Sequence, residues 1–197
     1  MAAAFFVALL IVIVIRLHAP PAHRVDAALR ATARWSFAWF WLASTGGALT
    51  ALFGSRFRPI AQHARDFGLA YASAHVVHLS LVAWVLYGSV TAFDQTALIF
   101  FGIGVFWTYL LALLSIKRLA ARVNPTLLRI LRIVGVEYIG VVFLVDFSKH
   151  LFETGLYSLL YYLPFQLLAI AGPLLRLTVL LRRWLTPRTV NSPIQSS

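Results

Sequence analysis

Long apolar runs alternate along this chain with short segments that hold most of its charge. About 20 apolar residues, and rarely fewer than 17, carry a helix across the hydrocarbon core of a bilayer. The first run, 2–15, falls short of that length, and no Lys or Arg precedes it. The positive n-region of a secretory signal is therefore missing, and a short first helix reaching to about Leu17 is expected instead. Pro20-Pro21 punctuate a loop over 18–24, because paired prolines remove backbone donors. A second span is expected over 31–53, with Trp35, Trp39 and Trp41 placed as an interfacial belt. A basic loop at 54–59 leads to a third span, 64–87, and a turn at 88–94 to a fourth, 93–116. In that fourth span Gly102 and Gly104 offer close approach to another helix. A basic connection over 117–125 precedes a fifth span, 127–147. The sixth segment, 156–181, contains Pro164 and Gly172-Pro173, which predict a kink or break. The tail, 186–197, is polar and is expected to be disordered.

Composition agrees with this pattern: 61% of residues are hydrophobic and 12% charged, far from the balance of a soluble domain. The expected fold is all-α, a polytopic membrane protein built as a six-transmembrane-helix bundle over 1–185, with no second, soluble domain. The net charge of +11 does not point to nucleic acid, because the basic residues sit between the apolar runs, where topology and anionic headgroups account for them. With six spans, twelve Lys and Arg fall on one side and five on the other. That excess places both termini in the cytoplasm of a cell (inner) membrane protein. Only the first helix runs against the count, since Arg16 to Arg34 follow it and nothing basic precedes it. The chain has no Cys, which excludes disulfides, thiolate metal sites and Cys-ligated clusters within it.

Candidate chemistry lies in the polar residues at membrane depth. There is no phosphate-cradling glycine loop, G-x-S-x-G elbow or H-E-x-x-H pair. In the third span His75 and His78 stand three residues apart, which puts both imidazoles on one helix face. Two readings are open. The pair ligates a haem iron between the third and fifth helices, or it hydrogen-bonds neighbouring helices as packing glue. Glu137 and Asp146, nine residues apart, fall on opposite faces of the fifth helix and do not form a paired dyad. They serve proton relay or quinone contact, or structural pairing at the membrane edge. Arg132 either neutralises a nearby carboxylate or reaches headgroups beside Arg129. Asp146 and Lys149, at spacing three, fit a helix-end ion pair. The basic stretch 117–132 anchors the cytoplasmic side, or docks an acidic electron donor. His18 and His23, in the loop, are weak metal candidates.

The stretch 34–79 resembles the ferric-reductase-like transmembrane domain family, to which the haem-binding membrane subunit of methionine sulfoxide reductase systems belongs. The matching pieces are the aromatic second helix, the basic loop, and Arg65-x-x-Gly68-Leu69 leading into Ala74-His75-Val76-Val77-His78-Leu79. The resemblance implies a six-helix bundle carrying haem b that passes electrons across or within the membrane to a partner. It implies His78 as a haem ligand; from its place on the same face His75 ranks next, and His63, close to the cytoplasmic mouth, is a distant third, for a second, shallower haem. No flavin or nicotinamide domain is evident, so a separate cytosolic or membrane redox partner is implied. In the fifth helix the chain departs from the family. Arg132 stands where a ligating histidine is expected, and Glu137 replaces an aromatic residue. Arginine has no lone pair to offer iron. His150, beyond the fifth span, lies roughly 10 Å from the depth of His78 by helical rise. A single-histidine haem therefore stands beside a contrasting reading: a haem-free, non-catalytic member of the fold acting in assembly, interaction or transport.

Overall fold

A computed structural model describes residues 1–88, 94–151 and 155–185, with side chains given for those outside 150–161. The expected tail at 186–197, most of the turn at 88–94 and the His150 side chain lie outside the described residues. Every regular element described is helical: α1 (Ala2–His18), α2 (Arg24–Phe53), α3 (Arg58–Gln62), α4 (Ala64–Gly88), α5 (Gln95–Leu114), α6 (Lys117–Ala120), α7 (Pro125–Leu151) and α8 (Gly155–Leu185). Three of these are long and apolar enough to cross a membrane: α4, α5 and the Tyr162–Leu185 part of α8. The expectation of six spans is thus met in part. α1 has 17 residues. The apolar part of α2 is diluted by Trp, Ser, Thr and Gly, and α7 is interrupted by Arg132, Glu137 and Asp146.

Several boundaries differ from the sequence pattern for local reasons. α2 begins at Arg24, inside the expected loop, with Asp26 in its first turn where a carboxylate complements the helix dipole. It ends at Gly54, whose φ of 87° lies in the left-handed region that glycine adopts without a Cβ penalty. The basic loop after it is largely helical, forming a 3-10 turn at Ser55–Phe57 and then α3. α8 runs unbroken through Pro164 and Pro173. Pro173 deprives the Ala169 carbonyl of its helical donor, and at the neighbouring residue Trp41 Nε1 donates to Leu168 O (2.9 Å).

The tryptophans of α2 tie helices together. Trp35 Nε1 donates to Ala4 O of α1 (3.0 Å), and Trp35 and Trp39 meet edge to face. Two clusters form the core. Phe37 and Phe40 of α2 pack with Tyr71 of α4, with Phe143 and Phe147 of α7, and with Ala169 of α8. Ala4 and Ala8 of α1 meet Ala70, Ala74 and Val77 of α4, a contact of small residues that lets helix backbones approach without a hydrophobic drive from water. Of the two glycines of α5, Gly104 is the one at a close approach. A Cβ there would lie 3.0 Å from Val142 Cγ2 of α7, whereas nothing lies within 4 Å of one at Gly102. α5 thus closes on α7, and a cavity remains between α4 and that pair.

Candidate functional site

The cavity has a volume of about 390 Å³ and is lined mainly by apolar side chains of α2, α4, α5 and α7. That falls within the ~300–1,000 Å³ typical of cofactor and small-molecule sites. Its polar lining comes from His75, His78 and Tyr71 of α4, from Arg30 and Arg34 of α2, and from Asp94, Asp146 and Tyr162. The histidine spacing does what helix geometry demands: the rings of His75 and His78 stack with centroids 5.3 Å apart and planes inclined by 25°.

The two imidazoles are not equivalent. Thr32 Oγ1 donates to Ala28 O at 2.7 Å, one turn back along α2, and Leu29 O lies at 3.1 Å. A hydroxyl has one proton, so its oxygen is left to accept from His78 Nδ1 at 3.1 Å. This assigns the proton of His78 to Nδ1 and leaves the Nε2 lone pair for the cavity. His75 Nδ1, by contrast, is buried with no hydrogen-bond partner. An orphaned N–H is costlier than an orphaned lone pair, so the His75 proton belongs on Nε2. The two histidines that line the cavity thus carry their protons on different ring nitrogens.

Tyr71, one turn before His75 on the same face of α4, makes a second interhelical link. Thr108 Oγ1 donates to Gly104 O (2.9 Å), so the Tyr71 hydroxyl donates to Thr108 Oγ1 (2.8 Å) and turns its proton toward α5. Arg34 is buried, its guanidinium carbon 4.6 Å from the Tyr162 ring centroid and 5.2 Å from that of Phe165. Arg30, one turn earlier, lines the same cavity.

The wall facing the imidazoles carries Phe101, Gly104, Val105, Val142, Phe143 and Asp146, and no histidine among the described residues. His63 is remote: it caps the exposed end of α3, with Nδ1 against Pro59 O (2.9 Å), about 22 Å of helical rise from His78. His18 Nδ1 lies 3.0 Å from Val14 O in its own helix. Among the described residues no group of three or more His, Cys, Asp or Glu could hold a metal ion. On α7 the two carboxylates separate as their spacing requires. Asp146 lines the cavity, while Glu137 receives a bidentate bond from Arg176 of α8 (2.7 and 2.8 Å). Arg132 is not the partner of Glu137, because its Nη2 reaches Leu114 O at 3.5 Å. Lys149 Nζ stands 5.2 Å over the Phe101 ring. Thr32 and Tyr71 escape sequence reasoning because each acts across helices, Thr32 on a residue 46 positions away.

Neither protein-family models, nor curated proteins, nor solved structures give a match to this chain.

Proposed function

We propose that the protein crosses the membrane six times and binds haem b in the α4–α5–α7 cavity, passing electrons within the membrane to a redox partner. One observation carries this reading: His78 lines an apolar cavity with its Nδ1 3.1 Å from Thr32 Oγ1, and the tautomer this contact favours puts the free lone pair on Nε2. Ligating histidines are oriented by an acceptor on their other ring nitrogen in this manner. His78 is the iron ligand in this reading, and His75 donates a hydrogen bond from Nε2 to the bound group. Arg30 and Arg34 supply positive charge for the two haem carboxylates. Tyr71, with its proton committed to Thr108, contributes packing and an oxygen lone pair. Haem bound here supplies a one-electron carrier whose potential follows from the axial ligand and the dry surroundings. The stretch 117–132, with Lys117, Arg118, Arg122 and Arg129 exposed, suits an acidic electron donor. The twelve-to-five distribution of basic residues supports both termini on the cytoplasmic side.

With no histidine among the described residues of the facing wall, haem held here would take His78 as its protein ligand and would be open to a small added ligand. Purified protein, expressed with haem in supply, is expected to show a Soret band. On dithionite reduction, carbon monoxide shifts that band, as it does not for a bis-histidine haem, and His78→Ala removes it. Absence of a Soret band sinks the haem reading. The same wall favours one alternative: a haem-free bundle in which the Thr32–His78 bond is interhelical glue. His78→Ala then lowers the unfolding midpoint and changes no spectrum.

A further inference from the structure

A second concavity lies on the opposite side of α4, where α1, α2 and α4 enclose a lateral groove of about 520 Å³. Its walls are apolar, with Phe5, Leu9 and Val12 of α1 facing Val76, Leu81 and Trp84 of α4. Ser80, the polar residue among them, turns its hydroxyl back to Val76 O (2.9 Å). Trp84 is 72% exposed and Val76 40%, so the groove opens sideways toward the surroundings of the bundle. Two arginines stand at one end. Arg16 and Arg24 line both this groove and an adjoining recess with Ile13 and Leu17. Arg24 is steadied by its Nε bond to Ala19 O (2.8 Å), which leaves its terminal N–H groups unused. Neither arginine pairs with a carboxylate among the described residues.

We infer that this groove binds one anionic phospholipid, with its phosphate on Arg16 and Arg24 and an acyl chain along the apolar walls. Two guanidinium groups in one recess repel each other until an anion lies between them, and the planar fork matches phosphate oxygens. The dimensions fit a single leaflet. Arg16 and Phe5 are eleven residues apart, about 16 Å of helix, or half of a ~30 Å hydrocarbon core. The exposed Trp84 and Tyr87 near the same end of α4 mark the level of the headgroups. The groove shares no cavity with His75 and His78, so the inference is independent of the haem reading.

Native mass spectrometry of the full chain released from detergent tests it with three probes: phosphatidylglycerol, phosphatidylcholine of the same chains, and inorganic phosphate. A single phosphatidylglycerol adduct is expected, favoured over phosphatidylcholine by about tenfold or more, given about 1 kcal/mol per arginine near a surface. The double variant R16Q/R24Q removes that preference. Val76→Trp, which keeps both arginines and fills the groove, weakens the adduct as well and stands in should the double variant fail to fold. Equal binding of the two lipids overturns the proposal, as does retention of the adduct by both variants. Displacement of phosphatidylglycerol by millimolar inorganic phosphate reduces the site to an anion site and overturns the lipid assignment.

Discussion

α4 and α7 both carry ionisable residues into the bundle, and they dispose of them in opposite ways. On α7, each oxygen of Glu137 accepts from the Arg176 guanidinium, which joins α7 to α8 away from the cavity. On α4, His78 has one nitrogen held by Thr32 of α2 and lines a cavity of about 390 Å³. An ionisable residue at membrane depth is costly in either case. What separates a structural group from a candidate ligand is whether its partners exhaust it. Glu137 has both oxygens engaged away from the cavity, and His78 has one nitrogen engaged beside it.

The widest separation between the two helices is expected in the visible spectrum. His78→Ala should abolish the haem Soret band completely, while His75→Ala, which loses a donor and not a ligand, should keep the band with a shifted potential. If His75→Ala abolishes the band and His78→Ala retains it, the tautomer assignment is reversed. Next in size is Thr32→Val, which keeps the shape of the side chain and withdraws the acceptor from His78 Nδ1. Loss of such an orienting partner typically costs about 10–100-fold in metal affinity. Haem titration of the apoprotein should show that loss, and Thr32→Ser should restore most of it. An unchanged affinity in Thr32→Val would make the Thr32 bond incidental.

The sequence reached α4 more fully than α7, and the reason is range. A three-residue spacing on one helix is local, so the shared face of His75 and His78 is legible in the chain itself. The nine-residue spacing of Glu137 and Asp146 likewise predicts divergent faces, which the Arg176 bond and the cavity lining display. The identity of partners is not local. Arg132, five residues from Glu137, is the nearer candidate in the chain, yet the helix turns it to Leu114 O, and the partner comes from α8, 39 positions on. Thr32 reads as an unremarked helix residue until α2 is laid beside α4. The prolines of α8 misled for a related reason. They forecast a kink or break, and the helix is continuous with a donor from α2 beside the freed carbonyl. Apolar length alone supports three crossings, because charges on α7 that find partners only in the fold count against it in the chain.

Glu137→Gln tests the other side of the comparison. It leaves Arg176 with a neutral acceptor, and the pair is partly open, with side chains 43% exposed at Glu137 and 19% at Arg176. Removing a partner from a fully buried pair costs about 3–5 kcal/mol, and exposed pairs are worth about 0–1 kcal/mol. A loss of about 1–2 kcal/mol in detergent unfolding is expected between those limits. The Soret band should be untouched, since Glu137 does not line the cavity. A double cycle with Arg176→Gln should recover part of the cost, because the second change removes the charge left unpaired. Loss of the band in Glu137→Gln would show that α7 shapes the site after all.

The smallest effect is expected at Tyr71→Phe, and it separates packing from polarity on α4 itself. The change deletes one hydroxyl and orphans nothing, because Thr108 Oγ1 keeps its own bond to Gly104 O. Interhelical hydrogen bonds measured in membrane bundles average about 0.6 kcal/mol. A destabilisation of that order is expected, with the ring still packed at tilted and edge-on angles among Phe40, His75 and Phe143. The proton that Tyr71 gives to Thr108 points away from the cavity, so the haem potential should barely move. A large change in potential would mean that the hydroxyl turns inward when the cavity is filled. Tyr71 would then join His78 as a group that its resting partner does not exhaust.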